Sequence, residues 1–234
     1  MKKTIFFATL VILMSSFTFI SSDDKDLKSK DVKISEFHSV EVSSGIDLYI
    51  TSGKSDIATI KTKEKYLDEV IVKNEGNTLV VKLKGSFHFV RGPIKVFVKA
   101  DNLQSVRSSG GSDVYCEDGI NCETLNIVSS GGSDVKMTVN AQSINIDSSG
   151  GSDVILKGTA VNCSVECSGG SDVLISKLIT ENCTVNSSGG SDAIVYASKS
   201  ITVNASGGSD VIYSGNPEQR NINASSSSDV CSRK

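Results

Sequence analysis

A five-residue motif that returns about every nineteen residues constrains this 234-residue chain more than any other feature. Ser-Gly-Gly-Ser-Asp stands at 109–113, 130–134, 149–153, 168–172, 188–192 and 206–210, and a degenerate copy, Ser225-Ser226-Ser227-Ser228-Asp229, closes the series. The aspartates Asp113, Asp134, Asp153, Asp172, Asp192, Asp210 and Asp229 lie 21, 19, 19, 20, 18 and 19 residues apart. A fixed short period of this kind is the signature of a stacked, repetitive fold.

Aligned on the aspartate, the copies form columns. Seven residues before it stand Val106, Ile127, Ile146, Val165, Val185, Val203 and Ile222, all β-branched. Two places earlier are Gln104, Leu125, Ile144, Cys163, Cys183, Ile201 and Arg220, apolar except at the two ends. The column between them is wholly polar, and the residue after each aspartate is Val or Ala. Period-two alternation predicts strand, tight turn, strand in every copy. One copy cannot bury its own apolar edge, so the copies must stack with like strands paired in parallel. The expected fold is all-β: a single-stranded parallel β-helix, right-handed by the general rule for parallel crossovers. It has about seven C-terminal coils of roughly 19 residues, giving a rod about 34 Å long at ~4.8 Å per coil. A propeller is excluded, because a blade needs about 40 residues.

The paired glycines mark a corner where the backbone requires positive φ or passes too close to a neighbouring coil for a Cβ. They are Gly110 and Gly111, Gly131 and Gly132, Gly150 and Gly151, Gly169 and Gly170, Gly189 and Gly190, and Gly207 and Gly208. Small residues precede each pair, and repeated serine hydroxyls there can hydrogen-bond along the stack. By parity each aspartate points to solvent beside its copies, where like charges about 5 Å apart repel by roughly 1 kcal/mol in water. Either each Asp caps backbone N–H groups at its own turn, or the row holds a hard cation, for which Ca²⁺ fits clustered oxygens. The second reading makes the seven aspartates candidate metal ligands; no other cofactor is indicated.

The remaining candidates for chemistry are few. Six cysteines lie in the repeat half, with Cys163 and Cys183 in one inward column, close enough in neighbouring coils for a bridge but equally suited to act as small buried hydrophobes. Neither they nor His38 and His88 show zinc spacing. Arg107, Tyr196 and Tyr213 depart from the repeat, but no nucleophile, base and orienting group assemble from them, so no catalytic residue is assigned. The net charge of -3 (24 basic, 27 acidic residues) offers no basic field for nucleic acid, and residues 101–234 carry 8 basic against 15 acidic side chains.

Met1-Lys2-Lys3 followed by the apolar run Thr4–Ile20 and then Ser21-Ser22 has the layout of a cleaved signal peptide (1–22). No second long apolar run follows, so no transmembrane segment is expected in the mature chain, which should be exported to the periplasm, cell surface or medium. Residues 23–33 read as a flexible leader, 34–100 as a β-rich N-terminal part forming a cap or divergent coils, and 101–234 as the repeat β-helix.

The corner array, the segment Phe37-His38-Ser39-Val40-Glu41-Val42-Ser43-Ser44-Gly45-Ile46-Asp47-Leu48-Tyr49-Ile50 and the terminal Val211-Ile212-Tyr213-Ser214-Gly215-Asn216-Pro217 resemble the putative auto-transporter adhesin, head GIN domain family, over about residues 34–230. Gly45-Ile46-Asp47 departs from the Gly-Ile-Asn often found there. The resemblance implies an exported, right-handed β-helical protein of a kind common in Bacteroidetes. A catalytic constellation is normally unique in a chain, whereas each Asp here recurs with its whole neighbourhood. The expected function is therefore a non-enzymatic adhesin or cell-envelope interaction module that binds a glycan or an envelope or host protein through repeated polar faces. The alternative is a polysaccharide-active enzyme resembling a pectinase or lyase.

Overall fold

The computed structural model describes residues 26–85, 90–225 and 227–233; the signal-peptide segment and His88 lie outside them. In chain order the strands are β1 (Lys28–Lys33), β2 (Ser39–Val42), β3 (Asp47–Ser52), β4 (Ile57–Thr62), β5 (Val70–Glu75), β6 (Thr78–Leu83), β7 (Lys95–Ala100), β8 (Ser105–Ser109), β9 (Asp113–Ser130), β10 (Asp134–Gly150), β11 (Asp153–Gly169), β12 (Asp172–Gly189), β13 (Asp192–Tyr196), β14 (Ser200–Ser206), β15 (Asp210–Ser214), β16 (Gln219–Ala224) and β17 (Asp229–Ser232). They wind into a β-solenoid of about seven turns. From β8 onward each coil pairs in parallel with the next, Asp over Asp and Val over Val, for instance Asp134 on Asp153 and Asp153 on Asp172.

The columns read from the sequence are the layers of the core. Val106, Ile127, Ile146, Val165, Val185 and Val203 are buried, as are Leu125, Ile144, Cys163, Cys183 and Ile201 in the neighbouring column. Gln104 and Arg220, the polar ends of that column, are exposed. Arg220 folds back on its own loop, Nε donating to Pro217 O at 2.9 Å and Nη2 to Asn216 Oδ1 at 2.9 Å. A cation where the next coil would require an aliphatic side chain blunts that end against further stacking.

The N-terminal half joins the same solenoid in an order that its sequence does not reveal. β2 lies between β6 and β8, and β3 between β7 and β9. The chain therefore builds its second rung first, drops to the first rung with β6 and β7, and then resumes upward. Antiparallel strands close the lower end: β5 on β6, β4 on β7 and β1 on β4. Lys28–Lys33, expected within a flexible leader, is thus an edge strand whose lysines guard the sheet margin.

At the corners the first glycine of each pair has φ between +64° and +80°, in the left-handed region. The second does not always: Gly151, Gly170 and Gly190 lie outside that region, and an added Cβ there would meet nothing closer than 3.6 Å. The expectation that both glycines of every pair are required is corrected at these three coils. The motif's second serine points inward. Ser152 and Ser171 are fully buried, each with its single hydroxyl proton shared between the carbonyl of a serine in the coil below and one in its own corner (Ser129 and Ser149; Ser148 and Ser168) at 2.9–3.0 Å.

Candidate functional site

Each strand ahead of a corner exposes alternate residues, so one outer face carries files of polar side chains along the rod. The file six residues before the aspartates runs Arg107, Val128, Asp147, Glu166, Asn186, Asn204 and Asn223, in register coil by coil. Its upper part lines a cavity of about 760 Å³ bordered by Ser168, Ser188 and Ser206. A second cavity of about 310 Å³ adjoins it and shares Asp147 and Glu166, its far side formed by Asn126 and Asn145. Together they form an open trough crossing six rungs, or about 24 Å at ~4.8 Å per rung.

Amides pair within the trough. Asn223 Nδ2 donates to Asn204 Oδ1 at 3.0 Å, and Asn204 Nδ2 to Asn186 Oδ1 at 2.9 Å. Asn145 Nδ2 likewise donates to Asn126 Oδ1 at 2.9 Å. Each bond fixes an amide rotamer while leaving a second amide hydrogen and further oxygen lone pairs for a ligand. No aromatic ring lines either cavity, so the trough offers hydrogen-bonding groups and no stacking platform. This arrangement was open to reading in the aligned repeats, because the amide column is visible there, but only the fold shows that it bounds a concavity.

The aspartates form a separate file on another face, and it is longer than the motif alone indicates: Asp47 pairs with Asp113 and begins the row. Three of the carboxylates, Asp113, Asp134 and Asp153, cap the neighbouring coil. Asp113 Oδ1 accepts the backbone N–H of Asp134 at 3.1 Å, and Asp134 and Asp153 accept those of Asp153 and Asp172. Burial, and then the adjacent carboxylates, raise the pKa of Asp134 and Asp153 above the usual carboxylate value. Asp47 is raised likewise by burial and by Asp113, with Lys95 opposing. A carboxylate more basic folded than unfolded contributes stability that is present below its unfolded pKa, near 3.8, and is lost as pH rises through its folded pKa. Asp47→Asn should therefore match the parent in melting temperature at the acid end of that window and exceed it at neutral pH, by roughly 0.5 kcal/mol for relief of one like-charged pair. Parallel thermal melts across pH test this, and a constant difference at every pH would refute it.

Among the described residues no three His, Cys, Asp or Glu side chains group so as to hold a metal ion. The Asp file supplies one carboxylate per coil, already engaged with a backbone donor, so it has the form of a row and not of a cage. All six cysteines are free thiols, with Cys116, Cys163, Cys167 and Cys183 buried. A contact with Cys163, then burial, pushes the Cys183 thiol well up, so Cys183 stays protonated at neutral pH. The non-repeating candidates stay apart. Arg107 is exposed beside Glu41, Tyr213 is a core residue, Tyr196 lies in β13, and His38 Nδ1 bonds Asn77 Oδ1 at 3.0 Å near the capped end.

Residues 36–217 match the family described as "Putative auto-transporter adhesin, head GIN domain". Among solved structures, a putative adhesin from Bacteroides fragilis is 23% identical with a TM-score of 0.82, the match covering 90% of this chain and 99% of that one. A putative lipid binding protein from Parabacteroides distasonis is 14% identical with a TM-score of 0.65, covering 91% of this chain and 98% of that one. A putative adhesin from the same organism is 16% identical with a TM-score of 0.66, covering 90% and 98%. These likenesses establish the fold; since proteins with different stated roles share it, the ligand must be argued from the site. A comparison with curated proteins finds no match.

Proposed function

Because this chain belongs to the putative auto-transporter adhesin, head GIN domain family, we propose that it acts outside the cytoplasm as a non-enzymatic adhesion module that holds a glycan of the envelope or host along its amide-lined trough. The observation that carries this reading is the register of Asn186, Asn204 and Asn223, which presents one hydrogen-bonding amide per rung along a groove open to solvent. An adhesin-like role fits the family, and a face with polar contacts on successive rungs suits an extended polymer, because weak contacts sum along the chain. Among the described residues no helix is long and apolar enough to cross a membrane.

One feature favours the enzymatic alternative. Asp147 and Glu166 stand on adjacent rungs within the trough, and rungs ~4.8 Å apart are compatible with a retaining glycosidase's closely spaced carboxylate pair. A glycan array followed by product analysis separates the readings. Retention without cleavage is expected, weakened at least about tenfold by Asn204→Leu, which removes the central amide and both its ladder bonds. Unchanged retention in that variant would remove the trough from the account. Released fragments that disappear with Asp147→Asn would make the protein a carbohydrate-active enzyme.

A further inference from the structure

The face that carries the Asp file has two more outward files. Two residues beyond each aspartate run Tyr115, Lys136, Ile155, Leu174, Ile194 and Ile212 in register, with Cys231 last. Ile155 is 39% exposed, and a hollow of about 390 Å³ opens between it, Leu174 and Lys136. Two residues further on, beyond one register irregularity, lie Lys157 and its neighbour Lys177. Neither lysine has an ion-pair partner among the described residues. They cannot reach the aspartates of their own strands, about 14 Å away at ~3.4 Å per residue with the aliphatic file between.

We propose that two copies of this chain associate side by side, in parallel, through this face. A two-fold axis parallel to the rods lays the aliphatic file on itself and exchanges the outer files, so that Lys157 and Lys177 face the partner's Asp153 and the partner's Asp172 on the same rungs. An antiparallel pairing would set aspartate against aspartate, so charge selects the parallel one. Lys136 sits on the seam itself and, with its long flexible stem, turns its ammonium toward the partner's Asp134. Glu117 opposes the partner's Asp113, and Lys136 also faces its own copy across the axis; these are the like-charge mismatches in the register. A face of roughly 34 by 14 Å from each copy buries on the order of 1,000 Å², the lower limit for a specific interface.

Sedimentation equilibrium of the mature chain should show a reversible dimer below roughly 100 µM. Lys157→Glu with Lys177→Glu should weaken it at least about tenfold, and adding Asp153→Lys and Asp172→Lys to that variant should restore it. Leu174→Glu should give a folded monomer, with folding checked by circular dichroism. In the parallel arrangement the exposed Cys231 meets the partner's Cys231, so a short bismaleimide should give a covalent dimer that Cys231→Ser abolishes. A monomer at every concentration, a dimer indifferent to the charge exchange, or a dimer that fails to cross-link at Cys231 would each overturn the proposal. Binding to anionic vesicles that depends on Lys157 and Lys177 in a strictly monomeric protein would assign the face to a lipid surface and overturn it as well.

Discussion

Gly158→Ala should destabilise the solenoid by about 3 kcal/mol or more, an effect that only Gly215 among the described glycines should rival. Gly158 sits in β11 at φ +122°, and a Cβ there would stand 2.0 Å from Val139 O and 2.9 Å from Val139 C in the coil below. Both obstacles are backbone atoms inside a parallel ladder, so they can move only if the pairing of β10 and β11 opens. Two glycines of the motif serve as controls. Gly132 has φ +77° but an open surrounding, so Gly132→Ala bears only the left-handed penalty of about 1 kcal/mol. Gly170 lies outside the left-handed region, and its added Cβ would lie 3.6 Å from Gly150 O, an ordinary contact. Gly170→Ala should be neutral, or stabilising by a few tenths of a kcal/mol through the stiffer unfolded chain. Denaturant midpoints for the three variants should fall in that order, and equal midpoints for Gly158→Ala and Gly170→Ala would show that the coils are not in the register described. Because a solenoid gains its stability coil by coil, the loss can appear as a separate early transition and not as a uniform shift.

Gly158 also shows where sequence reading stops. The repeat columns foretold the buried Val and Ile layers and the solvent-facing Asp row, because stacking forces identical positions to superpose and alternation assigns their side. Gly158 pairs with Val139 and Leu178, so no column of glycines marks it. Register irregularities lie on either side of the pairing of β10 and β11, between Met137 and Val139 against β9 and between Ile155 and Lys157 against β12, and their only trace in the sequence is the spacings of 21 and 20 where the others are 18 or 19. The rung order of β2, β3, β6 and β7 is hidden for a related reason: hydrophobic alternation says which face is buried but not which neighbour lies above. Asp47 heads the Asp file although its corner, Ser43-Ser44-Gly45-Ile46-Asp47, has lost the motif. Ile46 there takes the place of the inward serine, its N–H donating to Ser112 Oγ at 3.0 Å. As for the trough, its amides stand in a plain column, yet concavity is a property of the bend between sheets, and no column encodes it.

The inward serine is the second place where a small change should act strongly. Ser171→Ala is expected to cost about 2 kcal/mol, although it removes one oxygen and leaves the volume of the corner nearly unchanged. Ser171 is fully buried, and its hydroxyl lies 3.0 Å from both Ser148 O and Ser168 O while accepting the Ser168 N–H at 3.3 Å. These backbone groups lie where the paired strands run into the glycine turn. The hydroxyl ties them together there, within its coil and toward the coil below. With alanine those groups remain desolvated and lose that partner, a loss that apolar packing cannot repay. Ser152, with the equivalent pair of bonds, should respond alike, whereas Ser168→Ala alters an outward, partly solvated hydroxyl and should stay within about 0.5 kcal/mol. Chemical denaturation of Ser152→Ala, Ser171→Ala and Ser168→Ala makes the comparison, and equal losses for the inward and outward serines would mean that the buried hydroxyl row is packing alone. If the difference holds, the motif's two kinds of residue divide the work of the corner: glycine permits the turn, and serine ties its buried backbone to the coil below.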